Sequence, residues 1–279
     1  MKILVTGSSG QLGQTFKSMS SDYDHEFTFT DRAQLDIAKQ TNVEEFFSKH
    51  AFDIVLNCAA YTAVDHAEKD QENAFLINEK GVENLVKACE KFKIVLIHFS
   101  TDYVFDGNKN LPYLESDETN PLGIYGRSKL AGEQKILNSN CSSLIFRTSW
   151  LYAKHGKNFY TTMLRLGKEK PEINVVCDQI GTPTNTRDLA KAVMHSLENM
   201  SIWEGRQEIY HFSNEGVASW YDFAKAIMES NSLKCKVNPI PTKNYPTPAK
   251  RPVFSVLNKE KFKTHFGFKI NHWRESLLS

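Results

Sequence analysis

Short apolar runs recur along the chain, and between them the apolar residues fall three and four apart. Runs of this length read as buried strands, and the three-four spacing as amphipathic helices. Lys2-Ile3-Leu4-Val5-Thr6 is the first strand. Glu26-Phe27-Thr28-Phe29-Thr30, Asp53-Ile54-Val55-Leu56-Asn57-Cys58, Ile94-Val95-Leu96-Ile97-His98-Phe99 and Ser143-Leu144-Ile145-Phe146-Arg147-Thr148 follow it. Helical patterns fill the intervals: up to about Met19, from Val43 to Lys49, from Glu72 to Phe92, and from Tyr125 onward. Strands alternating with helices predict an α/β chain with a doubly wound parallel sheet.

Beyond Trp150 the rhythm changes. Asn158 to Lys168 is helical, Ile173 to Val176 strand-like, and Asp178 to Thr184 a polar, turn-rich loop. Arg187 to Glu198 and Trp220 to Ser230 are amphipathic, and Pro239 to Pro252 is proline-rich. Residues 1–150 are expected to form a dinucleotide-binding unit. Residues 151–279 are expected to be mainly a smaller substrate-binding lobe, with some segments returning to the main sheet.

Charge narrows the partners. With 34 basic and 33 acidic residues the net charge is +1, which gives no reason to expect nucleic acid or an anionic membrane surface. No apolar run approaches a membrane span. The first residues run straight into a strand without a signal-peptide cleavage site, so a cytoplasmic protein is expected. Five cysteines, an odd number without a Cys-x-x-Cys, argue against a disulfide framework or a zinc site. Cys58 and Cys177 read as small buried residues, and His98 as a packed core histidine. No metal site is predicted.

Ligands of parallel sheets sit at the carboxyl ends of the strands. Four clusters fall at such ends. Gly7-Ser8-Ser9-Gly10-Gln11-Leu12-Gly13 follows the first strand and opens a helix. Its spacing departs from the commoner Gly-x-Gly-x-x-Gly, but its placement suits a pyrophosphate, which needs close backbone approach and free helix N–H groups. Asp31-Arg32 follows the second strand. Asp31 suits a ribose 2′-hydroxyl, as in NAD, and Arg32 a 2′-phosphate, as in NADP, so either cofactor is allowed. Leu35-Asp36-Ile37 is placed to reach the adenine, with a helix cap the plainer role for Asp36. Ala59-Ala60-Tyr61-Thr62 follows the third strand, and its small residues would admit a ribose.

Thr101 ends the fourth strand, within Ser100-Thr101-Asp102-Tyr103. The following helix opens with Tyr125-Gly126-Arg127-Ser128-Lys129, which places Tyr125 and Lys129 on one face. A cation there is expected to lower the phenol pKa and make Tyr125 a proton donor for carbonyl reduction, with Thr101 holding the carbonyl oxygen. A second Tyr-x-x-x-Lys, Tyr221 and Lys225, has no such hydroxyl residue at a strand end 24 positions upstream and reads as an ordinary helix face. Trp150, after the fifth strand, suits a sugar ring or a rim aromatic.

These motifs, together with Asn57 to Asp65, Phe146 to Tyr152, Asp178-Gln179-Ile180-Gly181-Thr182-Pro183-Thr184 and Pro246 to Pro252, resemble the extended short-chain dehydrogenase/reductases. Within them the resemblance is to the dTDP-4-dehydrorhamnose reductases, in matching order over nearly the full length. The resemblance implies a Rossmann-type sheet and reduction of the 4-keto group of dTDP-4-dehydro-L-rhamnose to dTDP-L-rhamnose by NADPH or NADH. It implies Thr101, Tyr125 and Lys129 as the catalytic trio. Gly7, Gly10, Gln11, Leu12, Asp31, Arg32, Asp36, Ile37, Ala60, Tyr61, Thr62, Tyr125 and Lys129 would contact cofactor, and Thr101, Asp102 and Trp150 the sugar. Some family members hold a metal at a dimer contact. Here the first helix reads Gln14-Thr15-Phe16 without a carboxylate, so that metal is not expected, while a homodimer stays open.

Three rivals share the fold. A dehydratase would want Thr-Asp-Glu where this chain has Thr101-Asp102-Tyr103. An epimerase would use the same Tyr and Lys with a retained cofactor. A regulatory subunit resembling that of methionine adenosyltransferase would bind NADP without turnover. The intact Thr101, Tyr125 and Lys129 favour an enzyme.

Overall fold

Six parallel strands form the centre of the protein, seen in a computed structural model that describes residues 1–278. Ser279, the last residue of the expected second segment, lies outside the described residues. Across the sheet the order is Glu26–Phe29, Lys2–Thr6, Ile54–Asn57, Val95–Thr101, Ser143–Thr148 and Gln207–His211. Every neighbouring pair is parallel. The chain places its second strand on one side of the first and its third on the other. That reversal opens a crevice at the carboxyl ends of the first and third strands.

The strands are apolar throughout because both faces of the sheet are covered. Ile3, Val5, Ile54 and Leu56 pack on one face with Leu12 and Phe16 of the helix Gln11–Met19 and with Leu189 and Val193 of Thr186–Glu198. Leu4, Val55, Leu96 and Ile145 point the other way, onto Val43, Phe47, Val82 and Leu85. Alternate residues of each strand therefore anchor opposite helical layers. A separate core gathers Tyr152, Tyr160, Ile173, Val175, Phe223, Ile227 and Trp273 around the parallel pair Glu172–Val176 and Lys236–Ile240.

Two elements depart from the expected pattern. Gln207–His211 joins the sheet edge although Gln207, Glu208 and Ile209 are only half-buried, so no apolar run announces it. The long helix expected from Glu72 to Phe92 is interrupted: Gln71–Phe75 leads into a π-helical turn at Leu76–Lys80 before Gly81–Phe92. Such turns often mark functional sites, and this one carries the fully buried Asn78. Cys58 and Cys177 also differ from expectation. They are the half-buried cysteines, whereas Cys89, Cys141 and Cys235 are buried. All five thiols are free.

Candidate active site

The glycine turn after the first strand is built for close contact. Gly7 has a φ of +62°, and a Cβ there would lie 2.6 Å from the Ala59 backbone at the end of the third strand. A side chain would therefore both strain the turn and separate the two strand ends. Gly10 N donates to Gly7 O at 3.0 Å, and the helix Gln11–Met19 starts with no side chain capping its amino terminus. Uncapped N–H groups beside a tight glycine turn fit a dinucleotide pyrophosphate. Gln11 is tied to the opposite wall, donating from Nε2 to Leu151 O at 3.1 Å. The Leu12 side chain is buried in the core, which leaves its backbone to face a ligand.

At the second strand end Asp31 is engaged by its own loop, where Oδ1 accepts from Ala33 N at 2.9 Å and Gln34 N at 3.1 Å. Arg32 is exposed, with Nε 3.5 Å from Asp36 Oδ2, and Lys39 Nζ stands 4.0 Å from the same oxygen. These side chains, with Ala33 and Asn42, line an open cavity of about 610 Å³. Asp36 also accepts from Ala38 N at 3.2 Å, a local turn and not the helix cap its position suggested, because the helix Gln40–Lys49 starts at Lys39 with no side-chain cap. Ile37 is buried, and its carbonyl accepts from Asn84.

The third strand end is held by Asn78. Its Oδ1 accepts from Tyr61 N at 2.9 Å, and its Nδ2 donates to Tyr61 O and to Ser128 Oγ, both at 3.0 Å. Ala60 and Tyr61 are half-buried and Thr62 is exposed. The Tyr61 hydroxyl turns to His66 and Asp70. The π-helical turn thus links this loop to the helix Ile124–Leu137, which carries Tyr125 and Lys129.

Thr101 closes the fourth strand, with its hydroxyl on the side of Tyr125. The same Oγ1 donates to Asp102 Oδ1 at 3.1 Å and accepts from Tyr103 N at 3.2 Å. Tyr103 packs edge-on against the Tyr125 ring, with centroids 5.6 Å apart. Glu68 accepts from Ile124 N at 2.9 Å and fixes the helix start just before Tyr125.

Electrostatics correct one expectation. Burial pushes the Tyr125 hydroxyl up to about 12; the Thr101 hydroxyl works against that rise and the Asp102 charge adds to it. Lys129 is not among the groups that shift it, because its Nζ donates to Phe99 O at 2.6 Å and lies 3.3 Å from His98 Nε2. The two residues share a helix face, but the lysine runs back beneath the strand. Burial brings the Lys129 amine down to about 8, with Glu133 and Cys58 opposing. Tyr125 is therefore a phenol at neutral pH, the form that gives a proton. Burial also raises Asp102 to about 6, against the Ser255 and Thr101 hydroxyls, and its Oδ2 has no hydrogen-bond partner.

Trp150 sits beyond the fifth strand with a φ of +45°. Its ring stacks on Trp220 at 3.6 Å and 9° and lies against Gly181. Tyr221 and Lys225 lie on a separate helix, where Lys225 is half-exposed and faces Glu229. The sequence reading gave four positioning residues no role: Asn57, Glu133 and Arg147, which lie in or beside the motifs, and Asn78, whose one signal is a polar residue on the buried face of a helical pattern.

The whole chain, residues 1–279, matches the family model described as the RmlD substrate binding domain. A dTDP-4-dehydrorhamnose reductase of Sinorhizobium fredii is 41% identical over 282 residues, covering 99% of this chain and 95% of the relative. The crystal structure of a dTDP-4-dehydrorhamnose reductase from Clostridium acetobutylicum superposes with a TM-score of 0.95 at 40% identity, covering 100% of this chain and 97% of that one. One from Bacillus anthracis, in complex with NADP, gives 0.93 at 37% identity, covering 99% and 96%.

Proposed function

The chain belongs to the dTDP-4-dehydrorhamnose reductase family, and from that premise we propose how its own residues perform the reaction. The protein reduces the 4-keto group of dTDP-4-dehydro-L-rhamnose to the alcohol of dTDP-L-rhamnose. When bound, NADPH or NADH supplies the hydride. Gly7, Gly10, Gln11 and Leu12 hold the pyrophosphate with backbone groups. Arg32, Asp36 and Ile37 flank the adenosine end with Asp31, and Ala60 to Thr62 and Lys129 flank the nicotinamide end.

Tyr125 gives its phenolic proton to the ketone oxygen, so the carbonyl becomes a hydroxyl as the carbon gains hydride. Thr101 donates a hydrogen bond to the same oxygen. The observation that carries this reading is the Thr101 hydroxyl on the side of Tyr125 at the end of a central strand. Asp102, which accepts from the Thr101 hydroxyl at the same strand end, is placed beside the sugar. Trp150 supplies an aromatic wall, and within residues 151–279 the separate core around Glu172–Val176 and Lys236–Ile240 is the lobe for the nucleotide sugar, the other segments returning to the main sheet.

Purified protein is expected to oxidise NADPH or NADH only when dTDP-4-dehydrorhamnose is present. Cofactor binding without turnover on that substrate would overturn the reading in favour of a regulatory NADP-binding protein.

A further inference from the structure

A buried chain of polar groups runs beneath the crevice and is not used in the scheme above. Thr6, Asn57 and His98 are partners on three adjacent strands, Thr6 opposite Asn57 and Asn57 opposite His98. Thr6 Oγ1 donates to Asn57 Oδ1 at 2.8 Å, Asn57 Nδ2 lies 3.1 Å from His98 Nδ1, and His98 Nε2 lies 3.3 Å from Lys129 Nζ. None of these four residues is more than 2% exposed. At its far end Thr6 Oγ1 accepts from Ala59 N at 3.4 Å, in the loop that touches Gly7.

A neutral imidazole offers one N–H and one lone pair. His98 is held neutral by burial and by the neighbouring Lys129. When Lys129 is an ammonium, His98 Nε2 accepts from it. Nδ1 then carries the hydrogen and donates to the Asn57 carbonyl oxygen, while the Asn57 amide donates to Thr6. When Lys129 is an amine, Nε2 donates to it. Nδ1 then accepts from the Asn57 amide, and the Thr6 hydroxyl donates to the Asn57 oxygen. A half-turn of the Asn57 amide and a change of tautomer interconvert the two arrangements. Both keep His98 Nε2 bonded to Lys129 Nζ and Nδ1 bonded to Asn57, which matters because an unpaired buried group costs about 1–3 kcal/mol.

We propose that His98 is a positioning residue for Lys129: with Asn57 and Thr6 it keeps the lysine nitrogen fixed against the Phe99 carbonyl in both protonation states. The charged or titratable groups facing Lys129 are Glu133, one turn along its own helix, and Cys58, at the end of the third strand. Glu133 is already engaged by Arg147 and Ser100, which leaves His98 as the side chain bonded to Nζ.

The test is nitrogen NMR of the full-length protein with labelled histidine, followed from about pH 6 to about pH 10 across the Lys129 titration. The protonated nitrogen of His98 is expected to move from Nδ1 to Nε2 as Lys129 loses its proton. One tautomer throughout would overturn the proposal. This readout needs no turnover, so it stands apart from the reductase reading, on which only the kinetic consequence rests. In kinetics, His98→Phe removes the acceptor for the ammonium. It is expected to lower kcat roughly tenfold and to move the alkaline limb of kcat/KM down by about one pH unit, with His98→Gln restoring most of both. A folded His98→Phe protein with the parent profile would also overturn it.

Discussion

The Glu133 carboxylate and the Arg147 guanidinium grip each other with almost no access to water. Arg147 Nη2 donates to Glu133 Oε2 at 2.7 Å and Nε donates to both carboxylate oxygens, while the side chains are 4% and 0% exposed. The Ser100 hydroxyl donates to the same carboxylate. The pair therefore bolts the helix bearing Tyr125 and Lys129 to the two central strands.

Breaking that pair leaves a buried charge alone. Glu133→Ala or Arg147→Ala is expected to lose about 3–5 kcal/mol of stability, read as a lower urea midpoint. A midpoint matching the parent would show that water reaches the surviving partner.

Tyr125→Phe keeps the ring and removes the proposed proton donor. Turnover is expected to fall roughly a hundredfold or more, with cofactor affinity measured by titration nearly unchanged. Near-normal turnover would remove Tyr125 from the acid role.

Arg32 is the exposed cation at the second strand end, while Asp31 is spent on its own loop. Arg32→Ala is expected to weaken NADPH by roughly tenfold, equivalent to about 1.4 kcal/mol, and NADH much less. Equal losses for the two cofactors would place the phosphate elsewhere.

The pH profile follows from Lys129, whose amine is lowered to about 8. Its ammonium is present below that pH and lost above it, so kcat/KM is expected to decline on the alkaline side near pH 8. Glu133 raises the lysine value, so Glu133→Gln is expected to move the limb to lower pH. For stability the sign is opposite: between about 8 and its unfolded value of 10.5 the unfolded chain binds the extra proton, so this group's contribution rises with pH. An alkaline limb that ignores Glu133→Gln would belong to another group.

Much of this was legible from residues alone. Buried parallel strands are apolar runs, so Lys2–Thr6, Ile54–Asn57, Val95–Thr101 and Ser143–Thr148 stood out, and the clusters after them share one edge of the sheet. Gln207–His211 was hidden because an edge strand needs fewer apolar residues. The direction of Lys129 was hidden too. Helical spacing tells which face a side chain leaves from, and the Phe99 carbonyl that receives it lies 30 positions away. Glu133 and Arg147 looked like ordinary charged residues until the fold removed their water, and His98 looked like filling until its ring nitrogens found partners.

Trp150 adopts a left-handed backbone that a large side chain enters at about 1–3 kcal/mol. Glycine would be comfortable there and would leave Trp220 without its stacking partner. Trp150→Gly should therefore relax the main chain while erasing the proposed sugar wall. The strained main chain and the aromatic wall thus hold each other: the ring that demands the unusual backbone is also what its stack on Trp220 keeps in place.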